Sequence, residues 1–357
     1  MKKVLFVAIG LSVLTNSAYA SKARQSALQN SFLLTDTRDI LVNPADLNIM
    51  KNFVITEWGA STQGASPNAE GGFFKDAGRF AYGLYLGDDN TNAHNTVRTN
   101  AHLLEKDNVM SFFFAGDMGI QWGARVDYAT SKNEVTDRQE QSSLGFSLGT
   151  NWKDLKVSAN IDLKDVSKSA TSTAATKYEE KFGYDIQAHY GIMGFDLFGQ
   201  YKKHGYDLTN SGAKEYKLSL WAVGIGKVHE VAKTARLFTD LKWSSSKEED
   251  KTVTTPTETK ENILKVTVGY EADATSWLVL RGAFSQQMMG YQKNINGKKT
   301  TNTNTTDVSA GATFNFGQLK VDGMIGTDST GQNTSTTEGG NLRTDNLMTT
   351  VAVHYWF

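Results

Sequence analysis

The sequence predicts an all-β fold: a transmembrane antiparallel up-and-down β-barrel of about sixteen strands, with about fourteen as the alternative. Three observations carry this. Apolar residues recur at every second position in segment after segment. The connections alternate between tight turns and long polar stretches. The last residues read VAVHYWF, with Val351, Val353, Tyr355 and Phe357 on alternate positions up to the carboxylate.

In chain order, Met1 to Ala20 comes first. Lys2 and Lys3 precede an apolar stretch from Val4 to Leu14, and Ala18-Tyr19-Ala20 gives a small-x-small cleavage pattern. This is the layout of a secretory signal peptide. The apolar stretch is well short of the roughly 18–20 residues that a spanning helix needs, so the mature chain is expected to begin at Ser21. Ser21 to Met50 does not alternate and is expected to be a periplasmic or plug segment. Its end, TDTRDILVNPADLNIM, reads as a turn and a short helix that starts at Asn43-Pro44.

From residue 51 to 357 the period is two. Leu155, Val157, Ala159, Ile161 and Leu163 alternate with Lys156, Ser158, Asn160 and Asp162, and the same holds around Phe182–Tyr190 and Leu264–Ala272. Successive side chains of a strand point to opposite faces, so each segment has an apolar and a polar side. Strands are expected near 53–60, 70–76, 79–88, 109–116, 118–129, 142–150, 154–163, 179–190, 193–203, 214–227, 234–244, 261–272, 276–288, 305–316, 318–328 and 345–357. Glu70–Asp76 is the weakest of these. If it and 53–60 formed a plug or hairpin instead, the barrel would have fourteen strands and still close antiparallel.

Tight turns are expected around Gly116-Asp117, Asn151-Trp152-Lys153, Gly191-Ile192, Ala272-Asp273-Ala274 and Gly317. The segments near 130–141, 164–178, 245–260, 289–304 and 329–344 are long and polar. Short periplasmic turns with long extracellular loops distinguish a membrane barrel from an exported β-sandwich. Trp122, Trp152, Trp277 and Trp356 fall near the short-turn ends, and Trp243, Tyr128 and Tyr201 near the other, as two interfacial belts require. Trp221 fits neither belt.

Composition excludes several classes. There is no cysteine, so an exported fold must close without disulfides. With 37 basic against 38 acidic residues and no basic tract, nucleic acid is not an expected partner. A hydrophilic average does not argue against a barrel, because a water-filled lumen tolerates charge.

The chain is not expected to be an enzyme. No histidine is followed two positions on by serine, and His229-Glu230 begins HEVAK rather than HExxH. His204 with Asp207 is a spacing common by chance. No cofactor and no metal is expected: Asp88-Asp89 and Glu248-Glu249-Asp250 read first as solvated loop faces.

The polar faces are more informative. The alternation points Arg125, Lys156, Lys202, Arg236, Lys242, Lys265, Arg281 and Lys320 inward, with Asp127, Asp162, Asp185, Asp196, Asp240, Glu271 and Asp322. An outward Arg or Lys at the midplane would cost about 2–4 kcal/mol. Nearly balanced signs predict a hydrated pore of weak charge selectivity, with side-chain pairing across strands as the alternative.

Two resemblances follow from these residues. The signal peptide, strand count and terminal Phe357 resemble outer-membrane porins of Gram-negative bacteria. That implies passive diffusion of small hydrophilic solutes and ions, contact with outer-membrane lipid and lipopolysaccharide, and a homotrimer as one state of assembly open to the chain. The alternating Val353, Tyr355 and Phe357 look like the signal read by the barrel-assembly machinery. Separately, Asn43-Pro44-Ala45 is similar to the N-terminal motif of the FadL-like transporters of hydrophobic compounds, where it belongs to a plug. The match spans about Asp36 to Leu47, and Asp46 stands where that family often has Gly. It implies a plugged barrel with an apolar internal pocket. A surface adhesin, resting on the Thr/Asn-rich loops at 289–306 and 327–345, is a third reading.

Overall fold

The computed structural model describes residues 21–59, 68–88, 94–134, 138–170, 175–209, 213–252, 256–294, 299–301, 306–327 and 347–357. The expected signal peptide and the loop at 329–344 lie outside them.

The wall begins with β1 (Phe53–Gly59), β2 (Asn68–Asp76), β3 (Phe80–Leu86), β4 (Met110–Asp117), β5 (Gln121–Asn133), β6 (Gln139–Trp152) and β7 (Leu155–Ala170). β8 has two stretches, Ala175–Glu180 and Gly183–Ile192, each paired with β7 on one side and β9 (Phe195–Thr209) on the other. There follow β10 (Ala213–Ala232), β11 (Ala235–Asp250), β12 (Thr257–Thr275) and β13 (Leu278–Asn294). β14 again has two stretches, Lys299–Thr301 and Thr306–Phe316, both on β13. β15 (Leu319–Thr327) and β16 (Leu347–Trp356) complete the sheet. Eighteen extended stretches therefore make sixteen barrel positions. β16 pairs with β1, from Phe53 opposite Trp356 to Gly59 opposite Thr350, and closes the ring.

The doubtful segment is part of the wall. β2 pairs with β1 and β3 along its length, which decides for sixteen strands over fourteen. The turn at Gly317 falls where expected, whereas the others sit a few residues beyond, at Met118–Ile120, Lys153-Asp154, Met193-Gly194 and Ser276-Trp277. At the opposite end the strands outrun their apolar pattern: β10 has 20 residues, about twice the 9–11 that suffice to cross a bilayer. Outward pairs there are charged, such as Lys247–Glu249 and Lys181–Asp207, so the alternation of apolar with polar fades although the strand continues.

The outer face is apolar and open. Phe112, Phe114, Leu148, Trp221, Val223, Ile225, Phe284 and Val351 are all exposed, a continuous band of a kind that soluble monomers avoid. Trp221 joins it, with its ring edge-on to Trp243 at 3.9 Å. Trp356 is a correction to the expected belt. It points inward and packs on Phe53, ring centroids 4.7 Å apart, because its parity is that of His354 and Ala352 rather than Tyr355.

Inside lies residues 21–50. Helix α1 (Lys22–Ala27) leads into a loop and two 3-10 turns, Thr37–Leu41 and Pro44–Asn48, where a turn and a short helix from Asn43-Pro44 were expected. Ile40, Leu41, Leu47 and Met50 form one core with Phe53, Ile55, Phe74, Tyr85 and Phe113 of β1–β4. The inner faces of these strands are largely apolar, with Glu57 and Glu70 among them, so apolar residues fall on both faces and the alternation is weak in the sequence.

Candidate functional site

The N-terminal segment is held in the lumen by buried charge. Ser21 caps α1 through Arg24 N and donates its hydroxyl to Asp322 at 3.1 Å. The Arg24 guanidinium meets Glu271 through Nε (2.7 Å) and Nη2 (3.0 Å), and Asp36 through Nη1 (3.2 Å). Arg38 reaches Glu57 at 2.9 Å, Glu70 at 3.0 Å and Asp88 at 3.0 Å, and Lys22 joins Glu70 at 3.0 Å. Desolvation makes such pairs costly to form but more costly to break, since a lone charge would remain.

The Asn43-Pro44-Ala45 step is fixed by shape as well as by hydrogen bonds. Asn43 Oδ1 accepts from Ala45 N at 3.1 Å, and Asn43 Nδ2 donates to Asn151 at 2.8 Å. A Cβ on Gly123 would come 2.2 Å from the Pro44 carbonyl carbon, and one on Gly149 would come 1.8 Å from Asn43 Oδ1. Glycine at these two wall positions is what lets the segment lie against β5 and β6. Asp39 closes the network: its carboxylate accepts from Gln25 (2.9 Å) and from Asp36 N (2.7 Å). Burial, with Asp46 nearby, pushes Asp39 up to about 7.

Among the described residues, two cavities lie between the plug and the wall. The lower, ≈ 420 Å³, lies between the loop Asn30–Leu34 and the wall at β8–β9. Phe32 stacks on Phe198 there at 5.1 Å, beside His189, while Asp154, Lys156, Asp196 and Lys242 supply polar edges. The upper, ≈ 520 Å³, is bounded by Leu41 and Val42 of the plug and by an inward-folded loop between β3 and β4. That loop carries α2 (Asn95–Asn100). Its Arg98 pairs with Asp165 at 2.5 Å and lies 4.4 Å over the Tyr178 ring. Val97, Ala101 and Leu103 pack on Tyr178, Tyr206 and Tyr216.

The fifteen wall charges singled out from the sequence all sit on strand positions that face the interior, but their surroundings divide them. Arg125 pairs with Asp127 at 3.0 Å and bonds the Leu41 carbonyl. Arg236 and Arg281 converge on Glu271, at 2.8 and 3.2 Å. Asp322 takes Arg281 at 3.4 Å, Asp240 takes Ser31, and Lys156 takes Asp46 at 3.0 Å. These groups bind the plug or one another, which replaces the expectation that they face open water. Asp162, Asp185 and Lys202 line the upper cavity, and Asp196 and Lys242 the lower. Lys265 lies opposite Lys242 and 3.8 Å from Asp307, and Lys320 lies opposite His354. The imagined His204–Asp207 pair does not form: His204 bonds Glu180 inside, and Asp207 meets Lys181. Asp88 is a correction: expected on a solvated loop face, it is buried and paired with Arg38, which the plug brings to it. The residues that strand parity did not single out are Arg24, Arg38, Glu57, Glu70, Arg98 and Asp165. Arg24, Arg38 and Arg98 lie in a segment or loop without alternation and Asp165 in a stretch expected to be loop, whereas Glu57 and Glu70 sit on β1 and β2, whose alternation is weak.

A closed antiparallel barrel of sixteen strands, apolar outside, charged inside and short-turned at one end, is the architecture of a transmembrane β-barrel, and this chain has that architecture with its own N-terminal segment in the lumen. No family model matches the sequence, and no curated protein matches it. Among solved structures, OmpT, an outer membrane protein of Vibrio cholerae in its trimer form, is similar at 9% identity and TM-score 0.43, over 86% of this chain and 98% of that one. The CymD monoaromatic hydrocarbon channel is similar at 12% and 0.42, over 93% and 96%. An anion-selective porin from Comamonas acidovorans is similar at 12% and 0.39, over 86% and 97%.

Proposed function

We propose that the protein is a plugged outer-membrane transporter, closed at rest, that admits small solutes when residues 21–50 shift. The observation that carries this is the burial of Arg24 and Arg38 in carboxylate clusters on the barrel wall. An always-open diffusion pore has no need of such a seat. The lower cavity favours solutes with an aromatic or apolar part, since Phe32, Leu33, Leu34 and Phe198 line it and a few polar groups sit at its edge. In this reading the chain is exported, inserted by the barrel-assembly machinery, and surrounded by lipid and lipopolysaccharide.

Planar-bilayer recordings test it. The intact protein should give little or no steady current, and deletion of Ser21–Met50 should give stepwise openings. With the two signs nearly balanced on the inner wall, those openings should select ions weakly. Large steady conductance from the intact chain, unchanged by the deletion, would instead support the open porin.

A further inference from the structure

Above the plug, three strands bring together a group that neither the plug nor the wall pairs occupy. Asp162 precedes the Leu163 bulge of β7, Glu180 ends the first stretch of β8, and His204 faces inward from β9. One ligand atom from each lies within 4.8 Å of the others. Glu180 Oε1 is 2.8 Å from His204 Nδ1. Among the described residues, neither carboxylate has a lysine or arginine at ion-pair distance. Two carboxylates this close disfavour each other's charge unless a cation lies between them. Gly183 keeps that space open, since a Cβ there would come 3.2 Å from Asp162 Oδ2 and 3.5 Å from His204 Nδ1.

The far side of the imidazole is equally defined. His94, from the inward loop, stacks parallel on His204 with centroids 4.6 Å apart, and the two Nε2 atoms are 2.6 Å apart. Tyr206 and Tyr216 hold the His94 ring, at 4.8 and 5.2 Å. Nε2 of His204 is thereby engaged, and Nδ1 is the nitrogen turned toward the carboxylates. A histidine anchored through one nitrogen and presented through the other is the arrangement found around metal-bound imidazoles.

We propose that Asp162, Glu180 and His204 form a divalent-cation site, with Zn²⁺ the best match to one imidazole and two carboxylates. Water from the upper cavity fills the remaining coordination positions, and His94 acts as a positioning residue. Ligands at about 2.1 Å from a tetrahedral ion are about 3.4 Å apart, so small side-chain rotations from the 4.8 Å envelope suffice. Because His94 belongs to the β3–β4 loop, an occupied site ties that loop to the wall over the upper cavity.

The test uses the tag-free intact barrel in detergent, titrated calorimetrically with Zn²⁺ alone and followed with Co²⁺ by its visible absorption. One ion per barrel is expected. His204→Ala should abolish uptake, Asp162→Asn should weaken it by at least about tenfold, and His94→Phe should keep the stoichiometry but lose about tenfold in affinity and shift the Co²⁺ spectrum. Asp162→Asn preserves size and hydrogen bonding, and heat-modified gel migration reports whether each barrel has folded. Absent binding in the intact chain, or wild-type affinity in folded Asp162→Asn and His204→Ala barrels, overturns the site.

Discussion

Glu57, Glu70 and Asp88 meet at one guanidinium, that of Arg38, with Lys22 also on Glu70 and Arg125 3.9 Å from Asp88, whereas Glu271 takes three guanidiniums, those of Arg24, Arg236 and Arg281. The two clusters therefore respond differently to loss of a plug arginine. In Arg38→Ala, three buried carboxylates lose their common partner, and about 3–5 kcal/mol of plug docking should go with it. In Arg24→Ala, Glu271 keeps two arginines and the loss should be clearly smaller. Protease accessibility of residues 21–50, read beside bilayer conductance, orders the two variants; equal effects would mean that the clusters do not seat the plug as described. Strand parity showed that Arg281 or Asp322 faces inward, because one face of each strand must meet lipid. It could not show the partner, which depends on how a non-repeating segment settles against the wall.

Among the elements, the plug is the one whose position was least legible. Asn43-Pro44 marked a helix start correctly, and Pro44 does begin a turn with Asn43 as its cap. The turn is 3-10 and short, and its seat depends on Gly123 and Gly149, which receive it at closest approach, a constraint set by distant strands. Its pH response can be argued from Asp39. This carboxyl is raised from its usual value to about 7 by burial, with Asp46 adding to the shift and Lys156 and Arg24 opposing it. Burial raises Asp36 as well, with Arg24 opposing. The docked plug thus holds protons that the released plug gives up. Docking is fully favoured below the ordinary carboxylate range and weakens as pH rises through that range to about 7, by up to about tenfold per unit for one group. Open probability should rise from about pH 4 to about pH 7 and level off above, and Asp39→Asn should flatten the rise, as single-channel recording across that range would show. A falling open probability would place the proton on the released state.

For the whole molecule, the sheet was legible almost strand by strand, since closure in hydrocarbon imposes period two on every crossing. What escaped was the extension of β10–β13 past the bilayer, where water on both sides removes that constraint. The seam is the most exacting part of the closure. Phe357 N donates to Asn52 O at 2.9 Å, and the Phe357 ring sits under Lys75 Nζ at 4.7 Å. Its side chain is exposed on the same face as Val351 and Tyr355. Phe357 thus bonds the residue just before β1 while its ring stays on the lipid side. A polar tail added after Phe357 leaves every strand pairing possible but carries the chain on past this seam at the short-turn end. Assembly should then slow or fail in cells, with unfolded protein accumulating on unheated gels, while refolding into detergent in vitro should still succeed. That difference separates a terminus that is read during insertion from one that only completes the ring: failure in both settings would assign Phe357 to closure alone.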